Sequence, residues 1–99
     1  MKDRPGAITV ARGTAEGQQS VSVSTTSAQT TNAIGSQECL VYSSVECFAL
    51  AGSDPTATVA AGTPIGAGQS IRLRGIQSGD KLAFITATGT GTVYVRPGA

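Results

Sequence analysis

The sequence predicts an all-β protein, an antiparallel β-sandwich of jelly-roll-like type with seven to eight short strands. Three observations predict it. Apolar and polar residues alternate over 20–26, 70–74 and 92–96, which is the period of a half-buried strand. Turn-forming residues recur every 8–12 positions between these runs, the spacing of a sandwich or barrel. Thr, Ser, Gly and Val are abundant while Leu, Glu and Lys are few, a mixture that favours strands and turns over helices.

The densest apolar stretch is Glu38-Cys-Leu-Val-Tyr-Ser-Ser-Val-Glu-Cys-Phe-Ala-Leu-Ala51. It reads as two strands joined at Ser43-Ser44 into a hairpin, buried on at least one face. Cys39, Val41, Cys47 and Phe48 are its expected core residues.

Along the chain, residues 1–19 read as a leader or arm, with Ala7-Ile8-Thr9-Val10 a short first strand. Residues 20–99 form the sandwich domain. Over 20–26, Val21, Val23 and Thr25 take one side, and Ser20, Ser22 and Ser24 the other. That strand carries no charge, so it is either central in its sheet or has its polar face covered by a partner. Residues 27–37 are a connection from which Ile34 enters the core. Gly52-Ser53-Asp54-Pro55 is a turn. Residues 56–68 are a long loop or a weak edge strand, a natural place for contacts. Further on, Ile71 and Leu73 point inward and Arg72 and Arg74 outward. Gln77-Ser78-Gly79-Asp80 turns the chain, Leu82 and Phe84 share a core face, and a last strand at 92–96 stops at Pro97-Gly98.

Composition limits what such a domain does. A chain of 99 residues is one domain. Of its apolar residues, 14 are Ala, which bury little area, so the core is thin and association with other copies or a scaffold would add stability. Seven basic and six acidic residues make no basic patch, which argues against a nucleic-acid partner. No run of 18 apolar residues occurs, so no membrane-spanning helix is expected. The opening residues lack the apolar run of a signal peptide, so the expected place of synthesis is a cytosol.

The sequence has no histidine, which removes the commonest general base and metal ligand. Its carboxylates are scattered, and no activating base stands near its many hydroxyls. The expectation is no enzyme, no catalytic residue, no metal and no cofactor. Cys39 and Cys47 are read as buried reduced thiols or as a short bridge across the hairpin. Arg72, Arg74 and Arg96 form either a solvated sheet face or a set of donors that grip carboxylates of a partner. Together with Ser20, Ser22 and Ser24 they are the candidate partner contacts.

The run from Cys39-Leu40-Val41 to Cys47-Phe48-Ala49-Leu50-Ala51-Gly52, then Asp54-Pro55-Thr56-Ala57-Thr58, then Ile71-Arg72-Leu73 with Ser78-Gly79-Asp80-Lys81-Leu82-Ala83-Phe84-Ile85, resembles small all-β virion proteins of tailed bacteriophages. These decorate or cement the capsid. The resemblance covers roughly residues 20–96. It implies a structural protein on the capsid surface of a virion, produced in the host cytoplasm. It implies binding between major capsid protein subunits and self-association as a dimer or trimer, with no catalytic residue. Two other readings stand beside it: a tail, neck or fibre component, and a carbohydrate- or receptor-binding module. The second needs exposed aromatics, and Tyr42, Phe48, Phe84 and Tyr94 are mostly expected in the core.

Overall fold

The computed structural model of the chain describes residues 18–97. Eight strands run through them: β1 (Gln19–Val23), β2 (Ala28–Gln29), β3 (Glu38–Ser43), β4 (Cys47–Gly52), β5 (Thr63–Ile65), β6 (Gln69–Arg74), β7 (Lys81–Ile85) and β8 (Gly91–Pro97). No helix occurs among the described residues. The leader and its Ala7–Val10 strand lie outside them, apart from Gln18 and from Gln19, which opens β1.

Two four-stranded antiparallel sheets form, β1-β8-β3-β6 (sheet A) and β2-β7-β4-β5 (sheet B). First strand pairs with last, second with seventh, third with sixth and fourth with fifth. This is the winding of an eight-stranded jelly roll. The expected fold class is the observed one.

The expected hairpin at Ser43-Ser44 does not form. β3 lies in sheet A between β8 and β6, and β4 in sheet B between β7 and β5. The two serines make a corner between sheets. Ser43 turns inward, fully buried. Its Oγ accepts the Val45 N–H at 3.3 Å and donates to the Val45 carbonyl, the local side-chain-to-backbone bonding that competes with a ladder. Ser44 stays on the sheet A side, where its N–H donates to the Thr92 carbonyl (3.0 Å) and its Oγ accepts the Thr92 N–H (3.0 Å).

The core lies between the sheets. Sheet A contributes Val21, Val23, Cys39, Val41, Val93 and Val95, and sheet B contributes Cys47, Ala49, Ile65, Leu82 and Phe84. Phe84 is the largest fully buried side chain. Ile34 and Ile76 join this core from the connecting segments, held by Ile34 N–H to the Asp80 carbonyl (2.8 Å) and Ile76 N–H to the Gln37 carbonyl (3.2 Å). The polar groups sealed inside are bonded: Thr30 Oγ1 donates to the Asn32 carbonyl (2.9 Å) and Thr86 Oγ1 to the Gly89 carbonyl (2.8 Å).

Phe48 is a second correction, because it is only half-buried. Cys47 and Ala49 take the inward positions of β4, so period two sends Phe48 and Leu50 to the outer face of sheet B. Residues 53–62 fold over that face. Gln29 Nε2 donates to Asp54 Oδ1 (3.0 Å), and the Ala57 N–H donates to Ser27 Oγ (2.8 Å). Gly62 then lies against Phe48, so close that a Cβ there would sit 2.6 Å from the Phe48 Cβ. Under this strap Ala83, on the outer side of β7, is fully buried.

Candidate interaction face

The outer face of sheet A carries no comparable cover among the described residues. Its side chains follow from the strand phase. In β3, Cys39 and Val41 point inward, so Glu38, Leu40 and Tyr42 point outward; in β8, Val93 and Val95 point inward, so Thr92, Tyr94 and Arg96 point outward. The register then sets these residues in rows. Ser20, Tyr94, Tyr42 and Ser70 stand in one row across all four strands. Arg96, Leu40 and Arg72 form the next, and Glu38 faces Arg74 beyond it.

Tyr42 and Tyr94 are 39% and 49% exposed, with ring centroids 6.2 Å apart and planes tilted by 32°. Beside them Glu38 Oε1 lies 3.5 Å from Arg72 Nη1 and 3.8 Å from Arg74 Nε. One carboxylate thus meets two guanidinium groups, with a third, Arg96, on the same face. Burying tyrosine and arginine against a partner is how protein interfaces concentrate their binding energy.

The structure brings Arg72, Arg74, Arg96, Ser20 and Ser22 onto this one face. Ser24 is not part of it. It lies past the end of β1, where its Oγ accepts the Thr26 N–H (3.2 Å) and caps the turn. Thr25, expected inward with the valines, is in that turn and exposed. The tyrosines are the residues that sequence reasoning placed wrongly. The signal was present for Tyr94, which sits between the core valines Val93 and Val95, while Tyr42 sits between the buried Val41 and Ser43. Glu38 as the partner of both arginines needed the register and was not legible.

Cys39 and Cys47 are buried free thiols. Cys47 Sγ lies 3.4 Å from Ser43 Oγ. Ser43 is four residues along β3 from Cys39, about 13 Å at the rise of a strand, so the two are too far apart to bridge. Burial pushes the Cys39 thiol up to about 11. Burial also raises Cys47, against the hydrogen bond it makes with Ser43 and with the charge of Glu46. A cleft of about 230 Å³ opens between residues 35–37 and 76–79, lined by glycine, serine, glutamine and Ile76 with no charged group. Among the described residues no three His, Cys, Asp or Glu side chains gather as a metal site would require, and no helix is long and apolar enough to cross a membrane.

Compared with protein-family models, with curated proteins and with solved structures, the chain matches none.

Proposed function

We propose that this chain is a structural virion protein of a bacteriophage, one that sits on the capsid surface and stabilises the shell by docking between major capsid subunits. The observation that carries the reading is the inequality of the two sandwich faces. Among the described residues sheet B is covered by its own strap, while sheet A presents the exposed Tyr42, Tyr94 and Arg74, with the half-buried Leu40, Arg72 and Arg96 beside them. A thin core that gains from a scaffold and the resemblance over residues 20–96 support the same role. In this mechanism the tyrosines supply apolar area and the arginines meet shell carboxylates in bidentate pairs. Each copy adds a modest contact, and many copies bridging neighbouring subunits hold the shell together. The test mixes the protein with capsids that lack it and sediments them. Wild type should pellet with the capsids and raise their resistance to heat, and the double variant Tyr42→Ala, Tyr94→Ala should stay in the supernatant.

A second reading is favoured by the same tyrosine pair: two exposed rings on a sheet face are a platform on which a sugar ring can stack, with Arg72, Arg96 and the flanking serines as polar partners. The chain has no tryptophan and only these two tyrosines, so its intrinsic fluorescence reports this face directly. Quenching by an oligosaccharide, with no pelleting on capsids, would favour the sugar reading over the first.

A further inference from the structure

Four strands end the two sheets, and three of them are guarded against pairing with another chain. β6 carries Arg72 and Arg74; β5 has three residues, one of them Pro64; β2 has two residues. Charge, proline and shortness are the usual protections of an edge. β1 has none of them. Its five residues, Gln19-Ser20-Val21-Ser22-Val23, include no charge, no proline and no glycine, and among the described residues only β8 pairs with it.

This edge strand is also anchored at both ends. The Gln19 side chain donates to the Asn32 carbonyl (3.0 Å) and accepts the Asn32 N–H (3.0 Å). At the other end the Ser24 carbonyl accepts the Thr86 N–H at 2.8 Å. A strand already paired on one side and anchored at both ends loses less freedom on binding a second strand.

We propose that two copies of this chain pair through β1, antiparallel and about a two-fold axis at Val21. A two-fold interface must be self-complementary, and this segment is. With Val21 facing Val21 of the second copy, Ser20 faces Ser22, and all five residues of each strand are used. The valines of both copies stay on the core side and the serines on the outer side. A slip of one residue would turn one copy's valines outward, so the phase is fixed. Two sheets A become one sheet of eight strands. The Tyr42–Tyr94 pairs of both copies then share one continuous surface, which doubles the area offered to a partner. The pairing uses the edge of the sheet and does not depend on the face being a capsid contact.

The test reads the mass of the 99-residue chain in solution by sedimentation equilibrium, from about 10 µM to about 1 mM. Wild type should form a dimer reversibly. The double variant Ser20→Lys, Ser22→Lys sets like charges opposite each other twice across the axis, and should weaken the dimer by roughly tenfold or more. Ser20→Glu, Ser22→Glu should do the same. Mixing the two variants should restore the dimer as a heterodimer, a result that a merely misfolded variant cannot give. A wild type that stays monomeric over the whole range overturns the proposal. So does a Lys variant that dimerises as tightly as wild type, and so does a mixture that fails to pair while both variants unfold cooperatively.

Discussion

Tyr42 and Tyr94 stand directly opposite each other across the β3–β8 ladder, both open to solvent, with 6.2 Å between ring centroids. Aromatic pairs contribute about 0.5–1.5 kcal/mol beyond their burial, and these two are half in water. Replacing both with Ala should therefore lower the stability of the isolated domain by about 1 kcal/mol, read from the urea midpoint. The same change should cost partner binding about 2 kcal/mol or more, because each ring is an anchor of the size that dominates interfaces. Equal losses in stability and binding would mean that the rings serve the fold alone.

Phe84 and Phe48 face opposite sides of sheet B and should respond differently to truncation. Phe84→Ala empties the centre of the core and should cost about 3–5 kcal/mol. Phe48→Ala removes a half-buried ring beneath residues 53–62 and should cost clearly less. Urea unfolding of both variants checks the order, and a reversal would contradict the described packing.

Gly62→Ala tests the strap from the other side. The added Cβ would meet the Phe48 Cβ at 2.6 Å and the Thr58 carbonyl oxygen at 3.0 Å. Overpacking of this kind costs about 1–3 kcal/mol. The expected outcome is a lower unfolding midpoint and faster hydrogen exchange at the Ala57 amide, which Ser27 holds.

The Cys39 thiol ionises near 11 when folded and near 9.0 in its ordinary state. Below pH 9 both the folded and the unfolded chain keep this proton, and the full stability is present. Between pH 9 and 11 only the unfolded chain releases it, so stability falls as pH rises, by up to about 2–3 kcal/mol. Urea midpoints measured from pH 8 to 11 should fall through this window, and Cys39→Ala should lessen the fall, leaving the part due to the raised Cys47 thiol. A flat wild-type profile would contradict it.

Much of this was legible in the sequence where the period was local. Strict alternation over 20–26 and 92–96 gave the inward valines of β1 and β8, and the Ile71-Arg72-Leu73-Arg74 phase gave the outward arginines. Pairing was not legible. A short polar step between two apolar strands has the same sequence whether the strands pair or part company, and what separates β3 from β4 is Ser43 bonding to Val45 instead of facing solvent. Residues 53–62 carry no period, so nothing local announces that they cover Phe48 and Ala83. The tyrosines lie in strands, where an aromatic is most often core, but phase decides the side: valines flank Tyr94 in the inward positions and leave it no place but outside.

The central claim is that the outer face of sheet A is the face that meets the capsid. Electron cryomicroscopy of capsids saturated with the protein tests it most directly. The account predicts density for the sandwich at equivalent sites between shell subunits, with Tyr42, Tyr94 and Arg72 against the shell and residues 53–62 pointing away. Capsids that carry no such density, or copies bound with sheet A turned to solvent, would contradict it.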